Sequence, residues 1–278
     1  MVLVVGCGGA DELVVEAVPD TSASEPKEAS VDELIDSLIS DEESSDATES
    51  SDPLAAASLS LEEEEFPQHV LDAPVRNVVM KHANGKTHKA FQGKVFGPTS
   101  VVQHGRYEEF FASGKRLKSG SYDYGKKVGD WKFWDQNGTL RKQGVYVKDV
   151  QHGDWQKFRK DGSLEWIEKY KNGLAEGVWV AFREDGKTMV WRRGYKNGDR
   201  HGPWEDFQSD GTLLNLLTYN EGELHGEAKS WNEAGKLIGE GTYQDGKRHG
   251  RFRVFDEDGK KVVDEAFWEA GVRQRGGG

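Results

Sequence analysis

The chain has 278 residues and a formal charge of −12, spread unevenly: residues 1–72 hold 20 Asp and Glu against Lys27, a net of −19, whereas residues 73–278 carry +7. Its one cysteine, Cys7, excludes an internal disulfide and a Cys-based zinc site. No apolar stretch reaches the ~18–20 residues that a membrane-spanning helix needs.

Val4-Val5-Gly6-Cys7 resembles the lipobox of a bacterial lipoprotein, in which a branched apolar residue, a small residue and then Cys direct cleavage and lipidation. That resemblance makes Cys7 the candidate lipidation site and residues 1–7 the remnant of a signal peptide. Only six residues precede Cys7, with no basic n-region. The expectation is therefore an envelope lipoprotein if the true start lies upstream, and a cytoplasmic protein otherwise. Residues 8–72 read as an acidic, Ser- and Glu-rich disordered tether. From about Thr21 to Glu65 there is no aromatic residue, and too little apolar surface to offset the entropy lost on ordering. Within it, the capping-box pattern Ser30-Val31-Asp32-Glu33, followed by Leu34, Ile35, Leu38 and Ile39, predicts a short transient helix.

From residue 105 the chain repeats. Gly105, Gly129, Gly153, Gly177, Gly202, Gly226 and Gly250 are spaced by 24 residues, once by 25. A fixed short period indicates a repeat architecture. Each glycine opens the phrase Gly-x-aromatic-x-x-aromatic. The first aromatic position holds Tyr107, Trp131, Trp155, Trp179, Trp204 and Phe252, with Ala228 the one lapse. The second holds Phe110, Trp134, Phe158, Phe182, Phe207, Trp231 and Phe255. A Tyr precedes every unit after the first, from Tyr122 to Tyr243.

Asn137-Gly138, Asp161-Gly162, Asp185-Gly186, Asp210-Gly211 and Asp258-Gly259 supply the positive dihedrals of a tight turn. Asn172-Gly173, Asn197-Gly198, Glu221-Gly222 and Asp245-Gly246 mark a second turn per unit. The runs between are aromatic and β-branched, and of strand length. The predicted fold is all-β: an elongated single-layer antiparallel β-meander of about seven 24-residue β-hairpin repeats, preceded by the acidic tail. Residues 73–104, with Phe91-Gln92-Gly93-Lys94, read as a degenerate N-terminal cap; residues 105–278 are the repeat domain, closed by Trp268-Glu269-Ala270-Gly271. The two aromatics of a unit are three apart, so strand alternation sends them to opposite faces. Gly120, Gly144 and Gly241 lie two before the Tyr, where a missing side chain leaves room for a neighbouring ring. The single 25-residue spacing predicts a bulge near Thr188–Gly194.

These units resemble MORN repeats, in the longer bacterial variant grouped with YwqK-type "antitoxin" proteins. The resemblance runs from about Val101 to Ala270 and rests on Tyr-x-x-Gly-Lys-x-x-Gly-x-Trp-x-x-Phe and on Lys247-Arg248-His249-Gly250. It implies a twisted β-meander used for binding or scaffolding.

Chemistry finds little foothold. His104, His152, His201, His225 and His249 precede unit glycines, but equivalent positions two strands apart are about 9.5 Å from one another, too far to share a metal. They read as turn residues bonded to nearby backbone. No nucleophile elbow and no phosphate loop is present. The chain is expected to be a non-enzyme with no cofactor, metal or catalytic residue. Both aromatic rows are the candidate binding faces, and another protein is the expected partner. A cell-wall glycan is the runner-up, a cytoplasmic antitoxin-like pairing a further alternative, and nucleic acid is disfavoured because acidic residues interrupt every basic stretch.

Overall fold

The structure, a computed structural model, describes residues 66–274 and the backbone of two strands before them, Leu3–Gly6 and Glu12–Glu16. Cys7, the Thr21–Glu65 segment and the capping-box helix at Ser30 lie outside the described residues. Within the span read as tether, Glu12–Glu16 pairs with Leu3–Gly6 on one side and with Val75–Lys81 on the other. A single helical turn, Gln68–Leu71, precedes the sheet. Its last carbonyls are held by the buried ammonium of Lys94, which donates to Leu71 O and lies 3.4 Å from Ala73 O.

The rest is one open antiparallel sheet in which each strand pairs with the next in sequence, except that the short strand Leu174–Ala175 and its successor Gly177–Phe182 both pair with Leu164–Lys171. Strands Val75–Lys81 and Thr87–Val95 form the N-terminal hairpin, and Thr87–Val95 then pairs with Val101–Phe110, the first strand of the repeats. The predicted meander is what forms, and two kinds of turn alternate along it. One edge carries two-residue turns with both central residues at positive φ: Asn172 at 50° and Gly173 at 81°, with the same pattern at 197–198, 221–222 and 245–246. These mirror-image turns match the right-handed twist of the strands they join. In each, an N–H bonds back to the strand of the previous unit, as Gly173 N to Gln151 O (2.9 Å) and Gly246 N to Leu224 O (2.9 Å). This edge is thus a backbone ladder running from unit to unit.

The opposite edge differs from the expected tight turn. Of Asn137-Gly138 and its equivalents, only the glycine has positive φ. The connection is a five-residue loop, residues 135–139: Gly138 N bonds to Asp135 O (2.9 Å) and Asp135 N to Thr139 O (3.0 Å). These loops are also linked between units, here by side chains reaching a carbonyl about one repeat further on. Arg141 Nε donates to Phe158 O (2.9 Å), Arg183 to Phe207 O (2.9 Å) and Gln208 to Asn232 O (2.8 Å); Arg159 donates to Phe182 O in the same manner.

The extra residue of the 25-residue spacing sits in such a loop, not at Thr188–Gly194. Arg183 N bonds to Thr188 O, one residue further than Arg159 N to Ser163 O or Gln208 N to Thr212 O. The strand Met189–Lys196 then keeps the ordinary length from loop to Tyr195. A solvent-facing loop absorbs an insertion at little energetic cost, whereas a strand would have to shift register.

Loop carboxylates cap their own turns. Asp161 accepts from Ser163 N (2.9 Å), Asp185 from Thr188 N (2.8 Å), Asp210 from Thr212 N (2.9 Å) and Asp256 from Lys261 N (3.1 Å). Hydrogen bonds to the ionised form hold all four below the usual value of 3.8, Asp185 at about 2 through the Thr188 hydroxyl first and then backbone N–H groups. A depressed carboxyl contributes stability that is complete above its unfolded pKa and is lost as pH falls through the folded one. Denaturant midpoints are therefore expected to fall as pH drops from about 4 towards 2. Asp185→Asn should flatten the lower end of that profile; an unchanged midpoint down to pH 2 would rule the capping role out.

Candidate interaction surface

The repeat glycines are not turn residues. All seven lie inside strands with positive φ, from 64° at Gly153 to 110° at Gly226. Between strands Arg116–Asp123 and Lys126–Trp134, Ser121 faces Val128 and Ser119 faces Lys132, so Gly120 opposes Gly129, Asp130 and Trp131 together. The bulged strand thus carries two extra residues, and because two is the period of a strand, side chains on both sides of the bulge keep the same face. Lys127, Trp131 and Phe133 consequently share one face, termed here the spine face.

The bulge explains both the tryptophan and the glycine facing it. Trp131 Nε1 donates to Ser121 O (3.2 Å), Trp155 to Val145 O (3.1 Å), Trp179 to Lys169 O (2.9 Å) and Trp204 to Gly194 O (2.9 Å), each reaching a carbonyl ten residues back. At Trp131, Trp155 and Phe252 the ring lies against the glycine opposite. A Cβ on Gly120, Gly144 or Gly241 would come within 2.3 Å, 2.2 Å and 2.3 Å of Trp131, Trp155 and Phe252. The room expected from sequence at these three glycines is therefore used by those rings. In two of the three units where the position two before the Tyr is not glycine, at Arg193 and Leu217, the bulge slides by one residue and opposes Gly194 and Thr218 instead; in the third, Glu168 and Lys169 together oppose residues 176–179. A Cβ on Gly194 would meet His201 O at 1.9 Å, whereas the other shifted bulge accommodates Thr218 at the matching position.

The first aromatic row and the tyrosines interleave into a spine. Ring centroids are 5.1 Å apart for Tyr122–Trp131, 4.8 Å for Tyr146–Trp155, 4.7 Å for Trp179–Tyr195 and 5.1 Å for Trp204–Tyr219, mostly in tilted or edge arrangements favoured by ring quadrupoles. A further stretch joins Tyr243, Phe252 and Trp268. Burial pushes Tyr122 up to about 12, and raises Tyr107 and Tyr170 further because each hydroxyl also donates to a carboxylate, Glu109 and Glu168 (both 2.8 Å).

Cations cover the spine. Lys142 Nζ lies 4.6 Å from the Trp155 ring centre, Arg193 4.9 Å and Arg200 4.6 Å from Trp204, and Arg248 4.9 Å from Trp268. Lys142 titrates low, through desolvation and then the neighbouring Lys157. The tyrosines were visible in the repeat, but these cations carried no sequence signal, because Lys and Arg abound and only cross-strand register sets them over rings.

Of the first-row candidates, Tyr107, Trp131 and Trp155 are 2 %, 0 % and 0 % exposed, so their rings are interior packing and not an open row. Trp179, Trp204 and Phe252 are partly exposed on the spine face. The second row lies on the reverse face, as alternation requires. There Trp134 faces Leu140, Phe158 faces Leu164, Phe182 faces Met189, Phe207 faces Leu213, Trp231 faces Leu237 and Phe255 faces Val262. Phe110 faces Arg116, whose guanidinium reaches over Trp134. Phe182 is buried with Ile167 and Val180 in a small reverse-face core; the other six keep partial exposure. Neither aromatic row therefore forms a uniform exposed surface.

The histidines stand in strands beside the bulge, not in turns. Two of them face carboxylates instead of the backbone: His104 Nδ1 lies 3.1 Å from Asp123 and His225 Nδ1 3.2 Å from Asp245. Among the described residues no three His, Cys, Asp or Glu converge on a metal-sized site.

At Ala228 the spine is interrupted. Leu217, Ala228, Ser230, Gly239 and Gly241 form the floor of an open cleft, and Tyr243, Phe252 and Trp268 stand along it.

A family model described as MORN repeat variant matches residues 127–148 and 224–245. Both stretches begin two residues before a bulge glycine and end at the next two-residue turn, so each covers one hairpin in the same phase. No curated protein matches the chain.

Proposed function

We propose that the chain is a non-enzymatic repeat scaffold that holds a partner protein against its sheet. The observation that carries this reading is the single layer: among the described residues no second layer covers either face. The rings that would otherwise be sticky are saturated by one another, by cations and by backbone carbonyls. What is offered outward is a long mosaic of Lys, Arg, Glu and half-buried rings on a frame tied from unit to unit along both edges, a surface suited to an extended polypeptide. Attachment to the envelope through a lipidated Cys7 belongs to the same reading, supported by the Val4-Val5-Gly6-Cys7 sequence.

Chemical cross-linking of the full chain in its native cells, with peptides mapped by mass spectrometry, tests the scaffold. Cross-links from Lys132, Lys142, Lys157 or Lys229 to one other polypeptide are expected. Retention on insoluble peptidoglycan or polysaccharide, with no polypeptide cross-linked, would replace the protein partner by a glycan. The same digest reports whether Cys7 carries lipid.

A further inference from the structure

The cleft at Ala228 is where the repeat departs from its own rule. The six other units carry an aromatic at this position. Among the described residues no ring bridges Tyr219 and Tyr243, whereas Tyr146, Tyr195 and Tyr219 each have a Trp ring within 5.5 Å. The floor is small: Ala228 faces Gly241, and Ser230 faces Gly239. One side of the missing ring's position is thus flanked by Phe252 lying over Gly241, and the other by Leu217 directly opposite Ala228.

The charges along the cleft are almost all spent. Asp206 is paired with Arg193, Glu240 with Arg253, Asp264 with Arg273 (3.7 Å) and Lys229 with Glu227 (2.8 Å). Arg248 is different. Its guanidinium carbon lies 5.1 Å from the Phe252 ring centre and 4.9 Å from that of Trp268, and among the described residues it has no carboxylate. Exposed and lying over two rings, it presents N–H groups that suit a planar anion. Among the described residues the indole N–H of Trp268 beside it also lacks an acceptor, unlike those of Trp131, Trp155, Trp179 and Trp204.

We propose that this cleft docks an aromatic side chain of a partner polypeptide that bears a carboxylate beside it: the ring fills the vacancy in the spine and the carboxylate pairs with Arg248. The proposal rests on the scaffold reading and locates its anchor. The ring's chemistry follows from the repeat, which fills the same position with Trp four times and with Tyr or Phe otherwise. The carboxylate follows from Arg248, the cation on the cleft that has no carboxylate among the described residues.

The test titrates the full chain, labelled for NMR, with acetyl-Glu-Trp-Glu-amide, acetyl-Lys-Trp-Lys-amide and acetyl-Glu-Ala-Glu-amide. The first should bind with a dissociation constant of about a millimolar, as suits one ring and one charge, and shift amides of residues 215–230 and 239–254. The other two should bind about tenfold more weakly or not at all. Ala228→Trp restores the ring found in other units, so it should fold with an unchanged or higher melting temperature and abolish binding. Arg248→Gln should weaken the acidic peptide about tenfold and leave the lysine peptide unaffected. Equal binding of all three peptides, or binding indifferent to Ala228→Trp, overturns the proposal; cross-links mapping elsewhere on the sheet would leave the scaffold reading intact. Concentration-dependent self-association abolished by Ala228→Trp would instead make the occupant a second copy, through its exposed Phe267 between Glu265 and Glu269, and equally overturn a foreign partner.

Discussion

Replacing Trp155 by alanine is expected to destabilise the array by about 3–5 kcal/mol, the range for deleting a fully buried large aromatic. Trp155 is 0 % exposed. Its ring lies on Gly144, meets Tyr146 at 4.8 Å and is covered by Lys142, and its N–H satisfies Val145 O. Removing it leaves a strip of bare backbone, an unpaired carbonyl beside the bulge and a lysine with no ring beneath it. Trp155→Phe separates these contributions: the ring remains and the hydrogen bond is lost, for an expected cost of about 1–3 kcal/mol. Because repeat arrays unfold in parts, the measurement is amide hydrogen exchange over residues 142–170 alongside the denaturant midpoint. Trp204→Ala, at a partly exposed ring, should cost clearly less. If the two alanine variants are equally destabilised, burial of the spine is not what holds the units together.

Gly144→Ala should cost about 1–3 kcal/mol or more, although its backbone conformation is open to any residue. The reason is contact: the new Cβ would lie 2.2 Å from Trp155 Cδ2, closer than any real Cβ approaches, and the ring would have to leave its seat. Gly153→Ala provides the contrast. Nothing lies within 4 Å of a Cβ there, but φ is +64°, so its cost of about 1–2 kcal/mol comes from the backbone alone. A double variant tells the two apart. Gly144→Ala combined with Trp155→Ala should be little worse than Trp155→Ala by itself, since the clash needs the ring. Gly153→Ala combined with Trp155→Ala should add nearly in full. Additive behaviour for Gly144 would mean that ring and glycine do not share the space between them.

The natural lapse at Ala228 already shows what losing such a ring does to the surface. It opens a cleft without interrupting the strand pairing: Glu223–Trp231 keeps partners on both sides. The energetic role of the spine and the proposed binding role therefore meet at the same repeat position. Rings that are present hold units together, and the one that is absent leaves a vacancy beside Arg248, which has no carboxylate among the described residues.

The period, the hairpins and the two-residue turns were legible in the sequence because they are local. Asn172-Gly173 determines its own dihedrals, and alternation decides that Trp131 and Trp134 leave the strand on opposite sides whatever lies beside them. The use of Gly120, Gly144 and Gly241 was legible too, since a glycine at a fixed offset from an aromatic implies contact. The interaction surface was less so. Two rows of rings read as two exposed faces, yet Tyr107, Trp131, Trp155 and Phe182 are interior, because neighbouring units cover them with tyrosines, lysines and aliphatic side chains whose positions depend on register.

Register is what tertiary structure decided. The sequence by itself determined one hairpin per 24 residues and the all-β meander, because turn chemistry and strand alternation act over a few residues. It did not determine that each repeat glycine would hold a bulge of two extra residues, that the bulge would slide by one wherever Arg193 or Leu217 replaced a glycine, or that the inserted residue would settle in the Arg183–Thr188 loop. Those outcomes depend on which backbone can approach which ring across the sheet, a contact between residues ten or more positions apart. The same long-range fit placed Arg248 over two rings beside the gap at Ala228, where the array has room for a side chain it does not supply itself.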